Sequence, residues 1–388
     1  MLSSDAIIRF SSQLANPSNV VTVLMVIGGD VVQKALAQST GCLYTPVCFS
    51  FGWVTYAFVV LVSMMGDQRL LPPPDSTVKV FNLGSGYHRD NRNWVVGRIF
   101  RDMELYMARK EPILSGAIRI SIWKARENPN RYTMHSYSKI HILGLVVTAI
   151  QLAVASIPLV LYGDFGILLL TATGTLMTIV MGSLPQWRAE KLPNRQHSNK
   201  LVALTSGNGS RDIIVIMGGG RCLDLEDLSA QETPRNGRVW EKFAQEDPGL
   251  FPLGFWFTFG ICVVQLFAWL GILVSSAALA ENTWFLILVG VIGMGQNAYL
   301  ANVERNPAHY NLPLDHIKTI TREKVMYGLM DLEANHGCGR PLVAEFFPGS
   351  LRQEEDEWWN GDRKAYDEMR SHSKSSRGAP RSSIERLN

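Results

Sequence analysis

Long uncharged stretches are the feature that most constrains this chain. Five stretches contain no Asp, Glu, Lys or Arg, and they are residues 44–65, 142–162, 165–184, 253–280 and 282–303. A bilayer hydrocarbon core of about 30 Å requires about 20 apolar residues in a helix, so each stretch is long enough to cross it. A sixth stretch, residues 20–38, is apolar apart from Asp30, Gln33 and Lys34. We therefore predict an α-helical polytopic membrane protein with about six transmembrane helices.

The distribution of basic residues predicts the side on which each connection lies. Of the 37 Lys and Arg residues, 13 lie in residues 66–139, 9 in residues 185–250 and 13 in residues 301–388. Segments rich in Lys and Arg stay in the cytosol, so we expect these three segments there, together with both termini. If residues 20–38 did not span, the N-terminus would lie on the opposite side. The expected location is the endoplasmic reticulum or the plasma membrane.

These boundaries divide the chain into seven predicted segments. They are residues 1–65, with the first two spans; 66–139, a basic cytosolic loop; 140–184, a hairpin of two spans; 185–250, a cytosolic loop with a β-hairpin; 251–303, a second hairpin of two spans; 304–370, a cytosolic helical tail; and 371–388, a disordered end rich in Ser, Arg and Pro.

The long segments contain patterns of folded structure. Runs of β-branched residues predict strands at residues 77–83, 118–123, 200–205 and 212–217, of which the last two form a hairpin. Amphipathic patterns predict helices at residues 94–110, 314–335 and 353–370. Because strands from several segments are needed for a stable sheet in water, we expect a small cytosolic α+β cap built from the long loops.

Residues 66–139 are the clearly cationic segment, with 7 acidic against 13 basic residues. Anionic lipid headgroups are the partner that best explains this charge, and a phosphate-bearing substrate is the alternative. The basic helix at residues 94–110 would lie at headgroup level, or its apolar stripe would pack on the sheet. Nucleic acid is not expected as a partner, because no aromatic and basic fingerprint of a nucleic-acid module is present.

Asp30 and Lys34 are the candidate catalytic residues. An acid within a span costs about 3 kcal/mol to insert and is usually retained for a partner or a pathway. Lys34 lies four residues after Asp30 on the same helical face, which favours an ion pair between them. The alternative is a protonatable acid facing a cavity, for proton-coupled transport or for protonating a lipophilic olefin or epoxide. Gln33 and Gln296 would line that cavity or form interhelical hydrogen bonds.

Other polar clusters fit no cofactor or metal motif. Residues 218–221, Gly-Gly-Gly-Arg, follow a predicted strand but lack the spacing of a phosphate-binding loop, so a turn is the preferred interpretation. Acidic side chains near Cys222 fit the start of a solvated helix: Asp224, Glu226 and Asp227. Five further residues lack zinc-site spacing: His309, Asp315, His316, His336 and Cys338. We expect neither a cofactor nor a metal.

Three segments carry a resemblance to a protein group. Residues 66–72 (GDQRLLP), 85–94 (SGYHRDNRNW) and 345–352 (EFFPGSLR) are similar to segments of uncharacterised multi-pass membrane proteins of filamentous fungi. The resemblance implies the topology above and transfers no catalytic residue. It also implies a role in fungal secondary metabolism, as an accessory protein or an enzyme acting on a lipophilic intermediate. A small-molecule transporter and a membrane scaffold are the alternatives.

Overall fold

The computed structural model describes residues 17–42, 44–113, 117–126, 139–193, 195, 198–220, 222–230, 253–279, 281–364 and 366–368. Its helices are α1 (Ser18–Leu24), α2 (Gly29–Ser39), α3 (Trp53–Gly66), α4 (Trp94–Lys110), α5 (Lys139–Tyr162), α6 (Gly166–Gly182), α7 (Pro185–Lys191), α8 (Leu225–Ala230), α9 (Leu253–Ala277), α10 (Thr283–Asn302), a 3₁₀ turn (Pro307–Tyr310), α11 (Val325–His336), α12 (Arg340–Phe346) and α13 (Gln353–Asn360). Its strands are β1 (Lys79–Asn82), β2 (His88–Asp90), β3 (Ile118–Ala125), β4 (Leu201–Thr205), β5 (Asp212–Met217) and β6 (Leu314–Arg322).

Four helices among the described residues are long and apolar enough to cross a bilayer. They are α5, α9, α10 and the stretch Gly166–Lys191, which contains both α6 and α7. Their mean hydropathies lie between 1.5 and 2.2. Each corresponds to a predicted uncharged stretch, so four of the six predicted spans are confirmed as helices of spanning length. Helices α5 and α6 pack on each other, whereas α9 packs on α3 and α6, and α10 packs on α2 and α5, so that all four belong to one bundle.

The prediction of continuous helices at residues 20–38 and 44–65 is wrong. The first stretch breaks between α1 and α2 at Gly28, whose φ is +94°. The second is irregular as far as Gly52, whose φ is +87°, and becomes helical only in the 14-residue α3. A Cβ on Gly52 would lie 2.4 Å from the carbonyl carbon of Gly28, so the two breaks touch and require glycine. These two stretches are apolar because many of their side chains are buried inside the protein, and not because each forms one continuous helix in lipid.

Residues 45–52, which we call the threaded segment, run through the bundle with neither helix nor strand structure. The amide of Asn297 on α10 accepts from Cys48 N and donates to Cys48 O, both at 3.0 Å. Gln151 on α5 donates to the carbonyl of Phe49 at 2.7 Å and to that of Val289 at 2.8 Å. Both side chains are fully buried. Side chains thus supply the hydrogen bonds that an irregular backbone cannot make with itself.

Gly293 on α10 allows the threaded segment to approach its helix. A Cβ at this position would lie 1.8 Å from the carbonyl oxygen of Phe49. The ring of Phe49 stacks in turn on Trp269 of α9, with ring centroids 6.0 Å apart. The segment is therefore held against α10 by close backbone contact, as small residues permit between membrane helices, and against α9 by ring stacking.

A six-stranded mixed sheet in the order β2-β1-β4-β5-β3-β6 lies beside the bundle. Strands β3 and β5 are parallel and the other neighbours are antiparallel. The predicted β4–β5 hairpin is confirmed, with Leu201 opposite Met217. Across the parallel pair, Arg119 stands opposite Asp212, and the two form a buried ion pair at 2.6 Å.

Alternation along the strands gives the sheet two buried faces. Val202, Leu204, Ile214 and Ile216 belong to the core shared with the bundle and α4. The intervening Ala203, Ile213 and Val215 belong to a second core with residues of α11, α12 and α13. The C-terminal helices therefore cover the sheet on the side opposite the bundle.

Two predicted helices of the tail need correction. Residues 314–335 are not one helix, because Leu314–Arg322 forms edge strand β6 against β3 and only then does α11 begin. Ile317, Thr319 and Ile320 are β-branched, which favours a strand once a partner is available. The predicted helix at 353–370 is interrupted after Asn360, since Gly361 has a φ of +117°, and residues 364 and 366–368 are helical again. The predicted disordered end at 371–388 lies outside the described residues.

We predict that Gly293→Ala destabilises the bundle, whereas Gly295→Ala on the same helix does not. The new methyl group at position 293 meets a backbone oxygen that is fixed by Gln151, and overpacking of this kind costs about 1–3 kcal/mol or more. A Cβ at position 295 has nothing within 4 Å. Thermal unfolding of the purified variants in detergent measures both effects. Equal melting temperatures for the two variants would contradict close contact at Gly293.

Candidate functional site

Arginine side chains bind the C-terminal ends of α2 and α10 where the bundle meets the sheet. Arg98 on α4 donates to the side-chain oxygen of Gln38 at 3.1 Å, to Asp75 at 2.8 Å and to the carbonyl of Ala301. Arg305 donates to the carbonyl of Gln38 at 2.6 Å. The last carbonyl groups of a helix lack helical partners and carry partial negative charge, so buried guanidinium groups are favourable there.

Asp102 links this network to the chain that follows α10. It accepts from the Arg101 side chain at 2.8 Å and from the backbone N–H of Arg305 at 3.0 Å. Burial raises the pKa of Asp102, and these hydrogen bonds act in the opposite direction. Among the described residues, the carboxylates that bind Arg98, Arg101 and the backbone of Arg305 are those of Asp75 and Asp102. The network therefore carries an excess of positive charge.

A cavity of about 370 Å³ opens beside this network. We call it the junction cavity, and its lining is Asp102, Met103, Tyr106, Trp123, Glu304, Arg305, Asn306, Pro307, Leu314, Asp315 and His316. Helix α4, strands β3 and β6 and the chain after α10 each contribute to it. It thus lies between the end of a long apolar helix and the sheet.

Three aromatic rings form one wall of the junction cavity. The ring of Trp123 lies 6.3 Å from that of Tyr106 and 4.8 Å from that of His316, measured between centroids. His316 shares a hydrogen bond of 2.9 Å with Thr319. Burial lowers the pKa of His316, and the charge of Lys110 lowers it further, so the ring is neutral near pH 7. The wall therefore presents a mainly uncharged aromatic surface.

The acidic side chains of the lining already have cationic or backbone partners. Glu304 pairs with Arg109, and Asp315 pairs with Arg126 at 2.8 Å. Both pairs lie at exposed positions on the rim, whereas Asp102 is buried. Their negative charges are thus largely matched where they face the cavity.

A second polar anchor was not predicted from the sequence. Glu190 of α7 accepts hydrogen bonds from the backbone N–H groups of Leu70 and Leu71, each at 2.8 Å, and from Gln186 at 2.8 Å. Lys191 donates to the carbonyl of Thr40 at 2.6 Å. The hydrogen bonds of Glu190 fix the turn after α3, which contains Leu70 and Leu71. Residues 66–72, the first of the segments that carry the fungal resemblance, therefore have a structural role.

Asp30 and Lys34 do not form the ion pair that we favoured from their spacing. Both lie on α2 with exposed side chains, and no salt bridge joins them. Asp30 is in the first turn of α2, where the helix dipole stabilises an acidic side chain. Neither residue lines the junction cavity. Gln296, which was grouped with them, is buried on α10, and its Nε2 has no hydrogen-bond partner.

The glycine-rich and acidic motifs have structural roles. Gly219 and Gly220 take positive φ values of 62° and 83° in the turn after β5, as the turn interpretation requires, while Arg221 lies outside the described residues. Asp224 and Glu226 pair with Lys200 at 2.9 and 2.8 Å. Asp227 accepts from the backbone of Arg195 at 2.9 Å. The acidic cluster thus joins α8 to the chain before β4.

The histidine candidates separate into two places. Asp315 and His316 line the junction cavity, and His309 lies in the adjacent 3₁₀ turn. His336 ends α11, and Cys338 is buried in the core on the far face of the sheet. Within the described ranges, no group of three His, Cys, Asp or Glu side chains is arranged to hold a metal ion.

Comparison with protein-family models, with curated proteins and with solved structures found no match. The resemblance to fungal membrane proteins therefore stays a prediction from the three segments that carry it.

We predict that Arg98→Met lowers the free energy of unfolding by about 3–5 kcal/mol, because it leaves Asp75 and two helix-end acceptors without their buried cation. Arg109→Met is the matched control from the same helix. Its ion pair with Glu304 is 66 % exposed on the arginine side, so its loss should cost less than about 1 kcal/mol. Chemical denaturation of both variants in the same detergent tests this. A similar loss for the two would show that burial of Arg98 does not matter.

Proposed function

We propose that this chain is a multi-pass membrane protein that binds an amphipathic small molecule in the junction cavity. The observation that carries the proposal is the position of the cavity, between the end of α10 and the aromatic wall of Trp123, Tyr106 and His316. Its volume of about 370 Å³ lies within the range of small-molecule sites, about 300–1,000 Å³. A ligand with an apolar body and a polar group fits such a lining.

All three long segments contribute strands to one sheet, which supports the proposal that they lie on the same side of the membrane. Strands β1, β2 and β3 come from the first segment, β4 and β5 from the second and β6 from the third. Two helical hairpins that each cross a bilayer twice return the chain to the same side, which is what one shared sheet requires. The excess of Lys and Arg in these segments makes that side the cytosol.

The proposed ligand class is compatible with an accessory or enzymatic role on a lipophilic intermediate of fungal secondary metabolism. A scaffold would use the covered sheet and its helices without a ligand. Arg109 and Lys110 at the end of α4 are exposed, and cations of this kind would favour anionic headgroups. The apolar stripe of α4 is buried in the shared core, in agreement with the alternative that it packs on the sheet.

Transport is the second candidate, because α2 and α3 both begin at the interior break formed by Gly28 and Gly52. Helices interrupted inside the membrane frame the substrate sites of many transporters. Here, however, the carbonyl groups of Cys48 and Phe49 already accept hydrogen bonds from Asn297, Trp53 and Gln151. Because these carbonyl groups already have partners within the protein, a structural role for the break is favoured over a substrate site.

We predict that the natural acceptor sequence at Asn208 remains unglycosylated in a eukaryotic host. Asn208 lies in the exposed β4–β5 turn, so only its location on the cytosolic side would protect it. Acceptor sites carried on flexible linkers inserted at Gly163 or Glu281 should be glycosylated. A shift in electrophoretic mobility that is reversed by a glycosidase reports each site. Modification at Asn208 would overturn the proposed sidedness.

We predict that protein purified from a fungal host carries an amphipathic species that is lost when the cavity is filled. Leu314→Trp places a larger side chain in the lining, whereas Ile317→Trp on the same strand adds the ring at an exposed position outside it. Solvent extraction and mass spectrometry of the three proteins measure the bound species. Identical extracts from the wild type and Leu314→Trp would contradict the proposed function.

A further inference from the structure

The rim of the junction cavity carries ion pairs with charges of both signs. Glu304 pairs with Arg109, and Asp315 pairs with Arg126 at 2.8 Å. A ligand with a net charge would be repelled by one member of each pair and would compete with the other member for its partner. The rim therefore favours neither an anion nor a cation.

The charged groups deeper in the lining are out of reach of a ligand. Asp102 is 3 % exposed and accepts from Arg101 and from the backbone N–H of Arg305. Of the two amino groups of Arg305, Nη1 donates to the carbonyl of Gln38 at 2.6 Å, and Nη2 is buried. A charged ligand group would lose its water here without gaining an accessible counter-ion, which is unfavourable.

Three uncharged polar atoms of the lining remain accessible. They are Oη of Tyr106, Nδ2 of Asn306 and Nδ1 of His316. Within the part of the chain that the structure describes, none of these atoms makes a hydrogen bond and none is buried. The lining thus offers hydrogen bonds to a ligand without offering it an unpaired charge.

His316 suits a hydroxyl group in either of its neutral forms. Its Nε2 shares a hydrogen bond of 2.9 Å with the hydroxyl group of Thr319. If Nε2 donates in this bond, Nδ1 is an acceptor, and if Thr319 donates, Nδ1 carries the proton and is a donor. A ligand hydroxyl group can both donate and accept, whereas a carboxylate only accepts and an ammonium group only donates. An alcohol is therefore the ligand that fits both forms.

We propose that the junction cavity binds an uncharged alcohol, with its hydroxyl group at Nδ1 of His316 and its apolar body along Trp123 and Tyr106. This inference rests on the proposed function and names the chemical class of its ligand. The ring of Trp123 lies 4.8 Å from that of His316 and 6.3 Å from that of Tyr106, so the three rings follow one another along the wall. An apolar body that begins at His316 therefore meets Trp123 and then Tyr106. Met103 and Leu314 add apolar surface to the same lining.

The test uses the full chain in nanodiscs of phosphatidylcholine, with octan-1-ol, octanoate and octylammonium as probes of equal chain length. Isothermal titration calorimetry near pH 7 measures binding, and the heats for empty nanodiscs are subtracted. We expect the alcohol to bind at least about tenfold more tightly than either ion. His316→Phe keeps an aromatic ring but removes both nitrogens, so it should weaken binding of the alcohol about fivefold and leave the two ions unchanged.

His88→Phe is the matched control. His88 lies on β2, the edge strand opposite β6, and its ring stacks on Phe81 with centroids 5.2 Å apart. The same substitution of a stacked histidine on an edge strand, away from the junction cavity, should leave binding of octan-1-ol as in the wild type.

The outcomes separate this inference from the proposed function. If either ion binds as tightly as octan-1-ol and Leu314→Trp reduces both, the alcohol is overturned while an amphiphile site remains. Binding of none of the probes would overturn both. Unchanged binding of octan-1-ol by His316→Phe would overturn the hydroxyl site, and if this variant does not fold, the ranking of the three probes on the wild type decides. Nanodiscs containing cholesterol distinguish the sources of the alcohol, since loss of octan-1-ol binding there assigns it to a membrane sterol and retention assigns it to a diffusible compound.

Discussion

The need to satisfy an irregular backbone inside an apolar bundle determines much of this structure. Before Gly52, the threaded segment has neither helical nor sheet hydrogen bonds, and each unsatisfied peptide group in such surroundings costs several kcal/mol. Asn297 and Gln151 provide the missing partners from α10 and α5, and Gly293 lets the backbone come close enough to reach them. The positions of α5, α9 and α10 relative to one another therefore depend on a segment that belongs to none of them.

The arginine network connects the helical bundle to the sheet. Arg98 extends from α4, whose apolar stripe packs in the core shared with the sheet, to the ends of α2 and α10. Arg305 and Asp102 then fix the chain that leaves α10 and leads to β6. Burial of these charges is tolerated because each is matched by a helix end, a carboxylate or an amide. The junction cavity lies at the edge of this network, beside Asp102 and Arg305.

Sequence patterns predicted the parts of the fold that depend on local composition. The four long helices follow from uncharged stretches, and β4 and β5 follow from runs of β-branched residues around a polar turn. Residues 45–52 are equally apolar, yet they are not helical, because partners more than 100 residues away satisfy their backbone. Strand β6 has mainly partly buried or exposed side chains at the sheet edge, so its pattern resembled that of an amphipathic helix. At the site, Asp315 and His316 were candidates from the sequence. Arg305 and Trp123 were not, because their burial depends on four segments that are separate in the sequence.

The strand order also has a consequence for synthesis. Strand β3 lies between β5 and β6, and both of these partners come later in the chain. When residues 118–125 leave the ribosome, neither edge of β3 has a neighbour, and the last one arrives only after α10 has been made. The edges of this isoleucine-rich strand therefore remain unpaired while the four long apolar helices are synthesised, a state that favours aggregation or binding by a chaperone.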